Sequence, residues 1–547
     1  MKKRNVISLV MLASCIALVA CGNKESKGEE VVSQIGKVSP DPRAAYEETL
    51  TATMIIEDPF GKVKSPYTDT AWGKAYKEDL NMNVDVKAVI ASSNYTERLN
   101  TLIASDDLPD FFKVPSNMLE QLIEDEMLED ITDIYDEYAS DRIKTYSEAN
   151  GKRALLGSMV DGKMYGVPIA GNEQASRNVI MMRKDWLDKL DLEVPETIDD
   201  VWEVAEAFKE NKLGGANTIG IPMDKSLGQV NAIVSAYGAN KGIYTVTDDG
   251  KLEYSSTSPE MKKALEVINE KFEDGIIDPE FIAKDGDKVN EDLKAGKAGI
   301  WFSGTGANAG VIEPVLTSTP EAEFVAVPIR KSDGTVANQE MPTSAGSFWV
   351  VKKGAKNPEA LLKLMNYTID KWDSLRTLEE FATYNYNTPT GQEGFHGFPI
   401  GGIPEATLRW PVQLKHYKET GEYSDDVDPE EETKIQNVIK YEEEGTGTPT
   451  QLINAWETSP VGPGVALGEY AAGDHYAYNY NQGFGSPTMK VKQSILDKIE
   501  LDNFMGIITG NQPIETFDKY VVEWKENGGD QIVQELNEWF AANPNLH

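Results

Sequence analysis

Along this chain the apolar and polar positions fall into three stretches of different character. From Val6 to Ala20 runs one apolar segment, interrupted only by Ser8, Ser14 and Cys15 and preceded by Lys2, Lys3 and Arg4. Residues 22–41 are rich in Glu, Lys and Ser without periodicity, which is the composition of a flexible tether. Beyond them, β-branched runs alternate with amphipathic segments. The pattern predicts strands over 51–57, 84–90 and 110–114, and helices over 72–79 and 95–103, the latter with Leu99, Leu102 and Ile103 on one face. Strand, helix, strand, helix, strand implies parallel pairing through right-handed crossovers. In open sheets of that kind ligands sit beyond the carboxyl ends of the strands, here residues 57–72 and 115–117.

The alternation continues. A strand over 179–183 runs into a helix over 185–190, and Thr197 is placed to cap a helix over 201–209. Residues 248–251 read as a hairpin turn, and a helix over 261–274 turns Leu265, Ile268 and Phe272 inward. A short helix over 291–295 precedes a strand over 299–302, with further strands at 324–328 and 347–351 and a helix over 358–369. Residues 384–457 are aromatic, Gly/Pro-rich and acidic, and predict only short helices. Helices over 489–508 and 514–539 close the chain.

Composition narrows the function classes. The chain is 40% hydrophobic and 26% charged, ordinary for a globular protein. Its formal net charge of −37 argues against nucleic acid and against electrostatic adhesion to anionic lipid. Both cysteines, Cys15 and Cys21, lie at the N-terminus, so the body has neither a disulfide framework nor a thiolate metal site. The basic start, the short apolar run and the small-residue cleavage site at Ala20 describe a secretory signal over residues 1–20. Leu18-Val19-Ala20-Cys21-Gly22 resembles the bacterial lipobox, which implies a mature chain beginning at a lipidated Cys21, anchored at the outer face of a Gram-positive cell membrane; an ordinary signal with a chance cysteine is the alternative.

Nothing in the sequence nominates a catalyst. There is no HExxH, GxSxG or GxxxxGK[ST], and the four histidines, His396, His416, His475 and His547, are not spaced as ligands. The Gly-rich segment 304–310 follows a strand but lacks the phosphate-loop spacing. Two carboxylates facing across a cleft would suit a glycosidase, and 90 acidic residues leave that open. No cofactor is implied.

A set of ordered strings carries a resemblance. LIASDDLPDFFKV (102–114), VDGKMYGVP (160–168), MMRKDWLDKL (181–190), VPETIDD (194–200), EDGIIDPEF (273–281), AGKAGIWFS (295–303) and the terminal DKYVVEWKENGGDQIVQELNEWF (518–540) are similar to the long, lipid-anchored solute-binding proteins of bacterial carbohydrate ABC importers, over essentially the whole mature chain. The resemblance implies an α/β, two-lobe periplasmic-binding-protein-like fold, each lobe a mainly parallel sheet flanked by helices, with the ligand cleft between them. It places a tether at 21–44, a first lobe at 45–167 plus about 348–405, and a second at 168–347 plus about 406–547. It implies a monomer that delivers an oligosaccharide to permease subunits. Some relatives carry an oxygen-rich calcium loop after the helix that follows RKDWL. Here that place reads Asn211-Lys212-Leu213-Gly214-Gly215-Ala216-Asn217, without the alternating acids, so no metal is expected. Residues 285–287 and 425–432 are weaker acidic alternatives.

Sugar rings present apolar faces, so aromatic platforms flanked by hydrogen-bonding groups are the candidate site residues. Trp186, Trp202, Trp372, Trp524 and Trp539 sit at inward positions of predicted helices and read as core. Trp72, Trp301, Trp349, Trp410 and Trp456 lie in predicted loops or at strand ends, with Tyr95, Tyr384 and Tyr386 second in rank and Asp69, Asn117, Ser303 and Asn308 as polar partners. Trp301 is the expected stacking platform, on the reasoning that only one of Trp301 and Phe302 can be core. Arg409 suits either a uronate carboxylate or an ion pair. The function expected is oligosaccharide capture without catalysis; an oligopeptide binder and a surface polysaccharide-degrading enzyme are the rivals.

Overall fold

The computed structural model describes residues 41–58, 66–147, 153–170, 173–305, 308–341, 345–375, 377–384, 398, 406–424, 427, 429–481 and 485–543. The signal segment, Cys21, most of the tether and Tyr386 lie outside them. No helix among the described residues is long and apolar enough to cross a membrane.

The first sheet has five strands in the order Met82–Ala91, Leu50–Asp58, Phe111–Pro115, Ser347–Val351 and Val167–Pro168. The first three run parallel, and Ser347–Val351 is antiparallel to both its neighbours. Because side chains alternate along a strand, both faces are filled. Phe111, Trp349 and Val351 pack under the helices Ala71–Leu80 and Ala360–Ser374, through Tyr76 and Met365. Phe112, Val114, Phe348 and Val350 pack under Ser92–Ala104 and Ser116–Glu124, through Leu99 and Leu119. Each such side chain contributes roughly 1.5–3 kcal/mol by leaving water.

In the second sheet Val179–Arg183 is central and antiparallel to Ile300–Ser303 and Phe324–Val327. Its parallel part is reduced to single bridges, Ile219 to Ala298 and Ile221 to Ile277. The expectation of a mainly parallel sheet therefore holds for the first sheet and is corrected for the second. The two antiparallel strands have one cause. Val179–Arg183 and Ser347–Val351 each enter from the other half of the chain, start at the edge where their sheet's other strands end, and run back against them.

Both faces of this sheet are also covered. Ile180, Met182, Ile300 and Phe302 join a core with Trp202, Phe208, Leu265 and Phe504. Val179, Met181, Trp301 and Phe324 join another with Val315, Ile453, Leu467 and Tyr470. Thr197 caps Ile198–Glu210 in a reciprocal box, its hydroxyl accepting from the Asp200 amide at 3.2 Å while Asp200 accepts from the Thr197 amide at 2.9 Å. Segment 384–457 departs from expectation. It contains Ala406–Thr420, with Pro411 inside it, and Pro429–Glu444, of 15 and 16 residues. These helices share only a small core of Leu414, Ile435 and Val438, so their apolar stripes are too thin to read as periodic.

Candidate binding cleft

Strand polarity brings two lips together. On the first, Glu57 and Lys113 lie near the carboxyl ends of their strands, and Lys113 Nζ donates to Glu57 at 2.8 Å. Burial works against the Glu57 charge, yet hydrogen bonds from Lys113 and Ser92 hold its carboxyl below the ordinary range. On the second lip Arg177 precedes Val179, which pairs with Ser303 at the end of Ile300–Ser303. Arg177 donates to the Glu173 carbonyl at 2.8 Å and to the Glu340 carbonyl. The Glu340 carboxylate accepts from Asn231; burial raises its pKa and Arg177 opposes the rise. A Cβ on Gly304 would come within 2.8 Å of the Ser176 carbonyl oxygen, so glycine there lets the strand end close against the crossover segment.

Where the two lobes meet is a cavity of about 280 Å³, just under the ~300 Å³ at which ligand pockets usually begin. Ser116, Asn117 and Glu120 line it from the first lobe, and Asn481, Gly485, Met489, Lys490 and Gln493 from the second. Lys490 Nζ stands 2.5 Å from Glu120 and 3.3 Å from Glu124, and the hydrogen bond to Glu120 chiefly raises its pKa.

The predicted site residues separate by burial. Trp301 is only 5% exposed, edge-on to Phe324 with ring centroids 6.1 Å apart, and its Nε1–H is buried without a hydrogen-bond partner. The expectation that Trp301 is the open platform is thus overturned. Its premise, that only one of Trp301 and Phe302 can be core, fails because helices cover both faces of the sheet. Trp72, Trp349 and Tyr95 are likewise core. Trp72 Nε1 donates to the Tyr384 carbonyl at 3.1 Å, Trp349 packs on Phe398, and the Tyr95 hydroxyl donates to the Lys113 carbonyl at 2.9 Å. Trp410, Trp456 and Tyr384 are half-buried; Lys434 lies over the Trp410 ring at 3.3 Å, and Tyr384 meets Trp72 edge-on. Asn117 is exposed in the interlobe cavity, Asp69 is exposed in a single 3-10 turn, and Ser303 is half-buried at the second lip. The Asn308 side chain lies outside the described residues.

Sequence reasoning missed Lys490, Glu120, Gln493, Arg177 and Glu340. The lining of the cavity is drawn from segments far apart in the chain, and no local pattern joins them. Of the acidic alternatives, Asp285 caps Gly286–Lys294 and buried Glu431 pairs with Arg409 at 2.8 Å, while Asp425, Asp426 and Asp428 lie outside the described residues; loop 211–217 is tied by the Thr218 hydroxyl, which accepts from Gly214 and donates to Gly215. No group of three metal-ligating side chains occurs among the described residues.

Residues 71–390 match the family described as bacterial extracellular solute-binding protein. The chain belongs to that family. It is 25% identical over 502 residues to lipoprotein LipO of Bacillus subtilis (strain 168), covering 90% of this chain and 92% of that one. It is 24% identical over 549 residues to the polygalacturonan/rhamnogalacturonan-binding protein YtcQ of the same organism, covering 98% and 99%. Among solved structures it resembles an HMO-binding, ABC-transporter-associated solute-binding protein of Bifidobacterium longum infantis. The TM-score is 0.64 at 16% identity, over 90% of this chain and 98% of that one. That likeness shows the fold: a two-lobe α/β solute-binding protein.

Proposed function

We propose that this solute-binding protein captures an oligosaccharide between its lobes and passes it unaltered to the permease subunits of an ABC importer. The carrying observation is the interlobe cavity lined by Ser116, Asn117, Asn481 and Gln493, neutral groups that donate and accept to hydroxyls, beside the apolar side of Met489. The names of YtcQ and of the HMO-binding structure support a glycan ligand. Trp410, Trp456 and Tyr384, with Asn117, Asp69 and Ser303, are the contacts proposed from the described side chains; Tyr386 and Asn308 belong to the same proposal.

The protein acts without cofactor or catalysis, as a monomer divided into lobes at the boundaries given above. It is held at the outer face of a Gram-positive membrane by lipid on Cys21, a reading supported by likeness to a lipoprotein. A thermal-shift screen of the mature protein over oligosaccharides and oligopeptides tests the ligand class. A bound glycan at a hundredfold excess over its Kd adds about 2.7 kcal/mol of stability. Stabilisation by peptides alone contradicts the reading, as does release of shortened glycan. Cys21→Ser is expected to free the protein from the membrane fraction; full retention contradicts the anchor.

A further inference from the structure

We infer that the cleft is built for an uncharged glycan and discriminates against one carrying uronate carboxylates. The inference rests on the oligosaccharide reading. A protein recognises a sugar carboxylate with an available Arg or Lys, best as a charge-assisted hydrogen bond. Among the described residues of the lips, the cations are already engaged; Lys241, which acts on Glu340, stands 3.6 Å from Glu500. Lys113 is bound to Glu57 at 2.8 Å, and Lys490 is shared by Glu120 at 2.5 Å and Glu124 at 3.3 Å. The Arg177 guanidinium is taken by two backbone carbonyls and faces Glu340. Arg409 is paired with Glu431 at 2.8 Å, and Lys434 is set over the Trp410 ring. Lys62 and Lys64 lie outside the described residues and are not part of this count.

The cavity itself makes the strongest case. Its one cation, Lys490, is outnumbered by Glu120 and Glu124, so the local balance is negative before a ligand arrives. A uronate reaching Lys490 would have to displace a carboxylate and then remain beside it. Like charges at that distance repel, which is how a site rejects a wrong partner. The net charge of −37 adds a long-range field of the same sign. Hydroxyls meet no such penalty at Ser116, Asn117, Asn481 and Gln493.

The test uses the mature chain and a matched pair of probes. The uncharged oligosaccharide giving the largest thermal shift is oxidised at its primary hydroxyls to carboxylates, and both forms are titrated by calorimetry, with oligogalacturonate fragments as a third probe. The oxidised form is expected to bind at least tenfold more weakly. Raising the salt, or the double substitution Glu120→Gln with Glu124→Gln, is expected to narrow the gap between the two forms at least threefold. Oligogalacturonates that bind as tightly as any uncharged probe overturn the inference while leaving oligosaccharide capture intact. A gap that neither salt nor the double variant changes overturns it too, because shape rather than charge then sets the preference. If no glycan of either kind binds, the oligosaccharide reading falls and takes this inference with it.

Discussion

The interior of the second lobe and its cleft lip solve the same problem differently. Each has a lysine hydrogen-bonded to two carboxylates. Inside, Lys284 Nζ sits 2.6 Å from Asp278 and 2.7 Å from Asp292, which also takes Lys297 at 2.7 Å; the side chains of Lys284, Asp278 and Asp292 are 10%, 4% and 3% exposed. At the lip, the side chains of Lys490, Glu120 and Glu124 are 38%, 26% and 57% exposed, and the pairs join two lobes rather than one. Tryptophans divide in the same way, Trp301 sealed between sheet and helices and Trp410 half-open beneath Lys434. Burial makes the interior pairs structural, since a charge without its partner has no water to turn to. Partial exposure makes the lip pairs weak contributors to stability, since water and salt screen them.

The comparison breaks most visibly at Lys284. Lys284→Met leaves Asp278 buried without its cation and Asp292 with Lys297 alone, and is expected to cost about 3–5 kcal/mol in denaturant unfolding. Trp301→Ala is expected to cost a similar ~3–5 kcal/mol through the cavity it leaves, with glycan affinity unchanged in the variant that still folds. A loss of affinity without loss of stability would return Trp301 to the cleft.

Acid should sharpen the contrast. Burial alone would raise the Asp292 pKa, but hydrogen bonds from Lys284 and Lys297 win and hold it below its ordinary value. A depressed folded-state pKa means its stabilisation is complete above the unfolded value, about 3.9, and is lost as the pH falls through the lower folded value. The melting temperature of Asp292→Asn should therefore start lower at neutral pH and fall less steeply than that of the native protein below about pH 4. Parallel curves would deny the network its role. The smallest effect is expected at the lip. Lys490→Met should change stability by at most about 1 kcal/mol, and a cost matching Lys284→Met would erase the distinction between the two regions.

What could be read from the sequence follows the same divide. Strands 179–183 and 347–351 and the Thr197 cap were legible because periodicity and capping are local. Burial of Trp301 was not, because one strand cannot reveal that helices from 313–318 and 449–472 cover its face of the sheet while others, from 198–210 and 487–508, cover the opposite one. The long helices of 406–444 were hidden by thin apolar stripes and by Pro411. Asn117 was legible as a residue after a strand end, whereas Lys490 was not, because its partners Glu120 and Glu124 are set by how the lobes face each other.

The central claim is that the ligand occupies the space between the lobes. Hydrogen exchange on the mature protein, with and without a stabilising oligosaccharide, reads this directly from backbone amides. The account predicts that protection rises together in Ser116–Glu124 of the first lobe and in the first turns of Pro487–Ile508 of the second. Protection confined to one lobe, or centred instead on the opposite edge of the first sheet, near Asp110 and Lys352–Asn357, would contradict it.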